Sequence, residues 1–296
     1  MKEQNTTHNL EEVWAQSHGE IGPRTFQELV KLGKRIDAAQ ERKRRFGVVF
    51  SAVAVAASLA IVAALSFTLA RDKFMVSPLE STRSLVTNYG QTTSITLEDG
   101  TKVSLNAGSS LLYPASFKKG SRIVYLSGEG NFAVAKDPSR PFIVKTAHLN
   151  VQALGTTFCV RSYAGDREVR TTLKEGKVKV DIPSAEGQSH LLDPGMQLVF
   201  KPADNAVSLA MVEAEKVMSW EEGYLSFSNA SFPEIASVLE RRFDVSVSYS
   251  SENLRQGALN VRFLPDETLE DALDVLKLLI PGFRYRIEGK RVICHF

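Results

Sequence analysis

The chain has 296 residues, of which 43% are hydrophobic and 24% charged, and its formal net charge is +2. Such a composition excludes a disordered or fibrous protein, and the near-neutral charge excludes a general pull toward nucleic acid. Its two cysteines, Cys159 and Cys294, show no Cys-x-x-Cys spacing and so no zinc signature.

Residues 1–45 read as a short helical arm. Asn9 with Glu12, and Thr25 with Glu28, are capping-box pairs, and the stretch "SHGEIGP" breaks the chain between them. The first segment carries Leu10, Val13 and Trp14; the second carries Phe26, Leu29, Leu32 and Ile36 along one side. Domains below about 40 residues rarely bury a sufficient core alone, so this stripe is expected to fold against a partner. The alternative is a self-packed helical hairpin near a membrane.

From Phe46 to Ala70 no charged residue and no proline occurs. As a helix this run is about 37 Å long, enough for the ~30 Å hydrocarbon core of a bilayer. A cleaved signal peptide would have a far shorter leading segment and an apolar run of no more than about 15 residues. A single transmembrane helix over 46–70 is therefore expected. Arg42, Lys43, Arg44 and Arg45 abut its first end, whereas Arg71 and Lys73 at the other end are interrupted by Asp72. This asymmetry places the N-terminus in the cytoplasm and the large remainder across the membrane.

A linker over 71–84 leads to a β-rich body over 85–205, expected to be a sandwich or a solenoid. In "SITLEDGTKVSLNA", Ile95 and Leu97 alternate with polar residues, Asp99-Gly100 marks a hairpin turn, and Val103 and Leu105 resume the alternation. "REVRTTLKEGKVKVDI" reads as a second such hairpin around Glu175-Gly176. Residues 217–296 change pattern to strand, helix, strand, repeated about 37 residues later. Ser231 with Glu234 and Thr268 with Asp271 cap the two helices. Their stripes are Ile235, Val238, Leu239 and Ala272, Val275, Leu276. The fold class expected is mainly β with an α+β part: a membrane helix, an all-β domain, and a duplicated β-α-β docking domain whose strand edges can accept a partner. Cys159 and Cys294 fall in apolar strand contexts of separate domains and read as buried, unpaired small hydrophobes.

Catalytic constellations are scarce. "GEGNFA", residues 128–133, matches a dinucleotide fingerprint formally, but no helix follows it. His8, His18, His148, His190 and His295 are scattered, and neither a Gly-x-Ser-x-Gly elbow nor a phosphate loop occurs. No cofactor or metal is expected, and the chain does not read as an enzyme. One dipeptide carries chemistry: in Gly155-Thr156 a hydroxyl follows an unhindered carbonyl, and in a strained turn it can attack that carbonyl. The alternative is a plain glycine bend between strands.

The ordered series "LEDGTKVSLNAGSSLLYPASF", "SRIVYLSGEGNFAVAKDPSRPFIVKT", "VQALGTTFCVRSY", "LKEGKVKV" and "LLDPGMQL" resembles the periplasmic domain of FecR-type anti-sigma regulators. "WEEGYLSFSNASFPEIASVLERRFDVSVSY" is similar to the C-terminal domain accompanying it in Bacteroidetes-type members. The resemblance implies an inner-membrane protein that receives a signal from the periplasmic signalling domain of a TonB-dependent outer-membrane transporter. It implies release of an extracytoplasmic-function sigma factor at the cytoplasmic end, often after an intramembrane protease acts. Trp14, Phe26, Leu29, Leu32 and Ile36 are then the sigma-binding candidates, and Gly155-Thr156 matches a self-cleavage position known in some members. Family members usually carry a longer cytoplasmic region than this one. Two other readings from different classes are a membrane-anchored envelope scaffold without transcriptional output and a membrane-bound DNA-binding regulator. About 45 residues cannot supply the helix-turn-helix domain that the latter needs.

Overall fold

The computed structural model describes residues 82–117, 120–184, 188–250 and 257–296. The arm over 1–45, the basic Arg42 to Arg45 and the apolar run over 46–70 lie outside the described residues. Among the described residues no helix is long and apolar enough to cross a membrane.

The first thirteen strands form two sheets that share one strand. In chain order they are β1 Thr82–Val86, β2 Thr93–Thr96, β3 Lys102–Leu105, β4 Ser110–Pro114, β5 Arg122–Ala133, β6 Phe142–Lys145 and β7 Asn150–Ala153. Next come β8 Thr157–Ser162, β9 Val169–Glu175, β10 Val178–Asp181, β11 Ser189–Leu192, β12 Met196–Lys201 and β13 Ala206–Met211. One sheet runs β1-β4-β5-β6-β7-β10-β11 and the other β2-β3-β5-β8-β9-β12-β13, antiparallel throughout except where β5 meets β6. The first half of β5 pairs with β4 and β6, and its second half with β3 and β8. Gly128 sits at the changeover with φ +113°, and a Cβ there would fall on Ser109. This is the reason for a glycine in "GEGNFA": the segment is a strand passing between two sheets, not a phosphate-binding turn.

One hydrophobic cluster draws from both sheets, with Val103, Leu105, Phe132, Phe158 and Leu198 from one and Leu111, Val124, Val144, Val151 and Val180 from the other. The architecture is therefore a sandwich. Alternation makes it so: β10 and β6 each read buried, outward, buried, outward along four residues. The Asp99-Gly100 hairpin is present, with Ile95 opposite Val103. The hairpin read around Glu175-Gly176 is not. β9 pairs with β8 and β12, β10 pairs with β7 and β11, and the bend carries the chain from one sheet to the other. Alternation on both sides of a turn signal is common to hairpins and to sheet-crossing corners, which is why the pattern misled.

After β13 a short helix, α1 (Ala214–Met218), and a 3-10 turn (Ser219–Glu222) lead to the C-terminal module. It consists of β14 Leu225–Ala230, α2 Phe232–Phe243, β15 Ser246–Tyr249, β16 Leu259–Phe263, α3 Leu269–Leu279, β17 Arg284–Glu288 and β18 Arg291–His295. β14 and β16, the opening strands of the two repeats, pair with each other antiparallel. β15 lies parallel to β18, and β17 antiparallel to it. The helical stripes bury Ile235, Leu239, Ala272 and Leu276, with Val238 and Val275 half-buried. Thr268 and Asp271 form the expected capping box. Ser231 is the N-cap of α2, but its side chain makes no capping bond, and Glu234 is engaged elsewhere.

Candidate functional site

The sandwich and the C-terminal module have separate hydrophobic clusters, and no cluster spans both among the described residues. What joins them is polar and centres on α2. In the first turn of α2, Glu234 Oε1 accepts from Arg170 Nη1 at 2.6 Å, while Arg170 Nη2 donates to Glu168 at 2.8 Å. Near the other end, Arg241 Nη1 donates to Asp166 Oδ1 at 3.3 Å, and its guanidinium lies 3.9 Å from the Tyr163 ring centroid. Asp166 also accepts from Arg161 Nε at 2.8 Å. The Arg241 carbonyl accepts from the Gly90 amide at 2.7 Å. Beside the connecting helix, Asn131 Nδ2 donates to the Met218 carbonyl at 3.3 Å.

Burial works against the charges of Arg161 and Arg170, but neighbouring carboxylates more than reverse it. Glu129, Asp166 and Glu234 hold Arg161 above its ordinary range, and Glu234 and Glu168 do so for Arg170. Burial, then the field of Glu129, pushes the Tyr163 phenol up, so it stays neutral and donates to the Ala107 carbonyl at 2.8 Å. Sequence reading missed this cluster. Arg241 sits in "ERRF" beside the apolar stripe of α2 and looked like any solvated cation at a helix end; only the facing sheet shows what it holds.

The second site is the Gly155-Thr156 turn between β7 and β8. Gly155 has φ +141°, and a Cβ there would lie 2.9 Å from the Lys136 Cα, so only glycine fits. The Thr156 carbonyl accepts from the Val134 amide at 2.9 Å. Its hydroxyl is buried and has no hydrogen-bond partner among the described residues. Gly176, the sheet-crossing glycine, presses on the same peptide: a Cβ on it would fall 2.6 Å from Thr156 Cγ2 and 3.2 Å from the Gly155 carbonyl oxygen. The dipeptide thus combines a left-handed residue, a buried unpartnered nucleophile and close backbone packing.

Cys159 and Cys294 are both buried and unpaired. Burial raises both thiols, that of Cys294 to about 11. No group of three or more metal-ligating side chains occurs among the described residues.

Comparison with known proteins places these features. The FecR protein family matches residues 83–179, and the FecR C-terminal family matches residues 224–294. The chain belongs to the FecR family. The FecR match covers the sandwich from β1 into β10, and the C-terminal match covers the duplicated module. Two crystal structures of a candidate anti-sigma factor from Parabacteroides distasonis ATCC 8503, at 2.50 Å and 1.65 Å, are similar to it. Each has a TM-score of 0.68 and 29% sequence identity, covering 72% of this chain and 98% of that one. No curated protein matches the chain.

Proposed function

We propose that this FecR-family chain is an inner-membrane anti-sigma factor. In this reading it relays a signal from a TonB-dependent outer-membrane transporter to an extracytoplasmic-function sigma factor. The observation that carries the reading is the pairing of a FecR sandwich with a FecR C-terminal module, matched along almost the whole of a candidate anti-sigma factor. The C-terminal module takes the receiving role: among the described residues β17 leaves one edge of its three-stranded sheet unpaired, and Ile287 on it is exposed. The apolar run over 46–70, with Arg42 to Arg45 before it, supplies a single-pass anchor with the N-terminus in the cytoplasm. The arm over 1–45 then grips the sigma factor through Trp14, Phe26, Leu29, Leu32 and Ile36.

The test is Leu29→Asp with Leu32→Asp in the full chain. Burying a large aliphatic side chain contributes about 1.5–3 kcal/mol, so losing two should weaken sigma binding by about a hundredfold or more. Membrane insertion should be unaffected. Constitutive transcription identifies an inhibitor, and lost transcription an activator. Wild-type sigma pull-down and transcription in the double mutant would leave the envelope scaffold as the function.

In this family context Gly155-Thr156 is a self-cleavage site. Thr156 Oγ attacks the Gly155 carbonyl carbon, the peptide C–N bond breaks, and the proton passes to the freed Thr156 amine. Water then opens the ester, leaving fragments 1–155 and 156–296. Purified wild-type chain should resolve into two fragments of those masses, whereas Thr156→Ala should stay whole. Wild type that remains a single band after prolonged incubation would show the glycine to be structural.

A further inference from the structure

The sheets end in strands whose outer edges are protected unequally. An unpaired strand edge is a template for another strand, and proteins blunt it by shortness, charge or a bulge. Among the described residues β2, β11 and β15 are only four residues long. Arg83, Arg262 and Arg286 put charge on β1, β16 and β17, and β14 breaks register between Phe227 and Ala230. β13 has none of these devices. Its six residues, "AVSLAM", carry no charge and no proline and pair with β12 without a register break. On its other side β13 has no partner strand among the described residues.

The side chains of β13 are uncovered as well. Val207 and Leu209 stand opposite Phe200 and Leu198, which are buried in the sandwich core, so Val207, Leu209 and Met211 lie on the core side of their sheet. Val207 packs against that core, yet Leu209 is 46% exposed and Met211 74%. The core face runs out at the rim of the sandwich with two large apolar side chains facing solvent.

A second copy of this chain fits that edge. A two-fold axis perpendicular to a sheet pairs two edge strands antiparallel, with opposite residues on the same face; centred at Leu209, it sets Leu209 against its own symmetry mate. Met211 then falls opposite Val207 of the second copy, and Ser208 opposite Ala210. Apolar meets apolar on the core side, small meets small on the outer side, and no charge is opposed. We propose that two copies associate through antiparallel β13–β13 pairing, which joins their sandwiches in one continuous sheet. The paired segment is small beside a standard interface of about 800 Å² per partner, so the association is reversible and depends on concentration. It rests on the sandwich alone and is independent of the receiving role given to the C-terminal module.

Directly opposite residues of an antiparallel pair have Cα atoms about 4.5–5.5 Å apart, inside the range of a disulfide. Leu209→Cys in the full chain in detergent should therefore give a covalent dimer under mild oxidation, read on a non-reducing gel. The native Cys159 and Cys294 are buried and do not compete. Met211→Cys is the control: the position is more exposed, but its two copies would lie about 13 Å apart along the paired strands. Leu209→Cys should crosslink at least about tenfold faster than Met211→Cys. Adding Ser208→Lys and Ala210→Lys, both at exposed positions, sets like charges opposite each other and should suppress the Leu209→Cys dimer. Crosslinking as fast for Met211→Cys as for Leu209→Cys would overturn the proposal, because contact through any other segment, the apolar run over 46–70 included, favours the more exposed thiol. So would a Leu209→Cys chain that stays monomeric, or a dimer that the added charges leave unchanged.

Discussion

Asp99→Asn should destabilise the sandwich by about 3–5 kcal/mol, the range seen when one partner of a buried ion pair is removed. Arg122 is wholly buried and Asp99 only 3% exposed, with Arg122 Nη1 donating to Asp99 Oδ2 at 2.7 Å. The remaining guanidinium contacts are the Arg140 and Ala135 carbonyls, both at 2.9 Å, and the Phe142 ring. Carbonyls share a cation's field but do not neutralise it, so the substitution leaves a full charge in a core lined by Phe142 and Phe132. An asparagine side chain retains an acceptor for the Thr101 amide, bonded at 3.0 Å, so the turn survives and the loss reports on charge. The denaturant midpoint for amides in β3, β5 and β6 should fall with the slope unchanged. Adding Arg122→Met should recover much of the loss, because the cost lies in the uncompensated cation. A shift below about 1 kcal/mol would mean that water or the Arg140 carbonyl satisfies Arg122.

Phe232→Ala should cost a similar amount, about 3–5 kcal/mol as for a buried aromatic cut to alanine, but in the other core. The Phe232 ring lies 5.3 Å from Tyr249, 5.5 Å from Phe283 and 4.9 Å from Phe296, joining α2 to β15, to the loop after α3 and to the chain end. Because no apolar cluster bridges the two domains among the described residues, the damage should stay local. Hydrogen exchange should accelerate across β14 to β18 while β5, β8 and β9 keep their protection. Uniform loss across both would show that the polar contacts of Arg241 and Glu234 couple the domains into one cooperative unit.

Much of the fold is local and was legible. Alternation marks the strands of the sandwich, the 3.6-residue stripes mark α2 and α3, and Thr268 with Asp271 caps α3 because both bonding partners lie within one turn. Where reading failed, a residue far along the chain had intervened. Ser231 and Glu234 have the same spacing as Thr268 and Asp271, yet Arg170, 64 positions away, takes the Glu234 carboxylate. An ion pair of that kind outweighs the modest gain of a capping bond.

The same division runs through the functional residues. Period, turn chemistry, the apolar run over 46–70 and the basic Arg42 to Arg45 are properties of short stretches, and physics acts on them whatever the rest of the chain does. Gly155-Thr156 could be picked out as a reactive dipeptide for that reason, but its close packing depends on Lys136 and Gly176, which approach from the loop after β5 and the bend after β9. Asp99 announced a turn, and nothing nearby announced Arg122. Glu129, between two glycines, gave no sign of being a buried carboxylate. Pairings of charge across sheets and domains depend on register and docking, and those are settled only when the whole chain has packed.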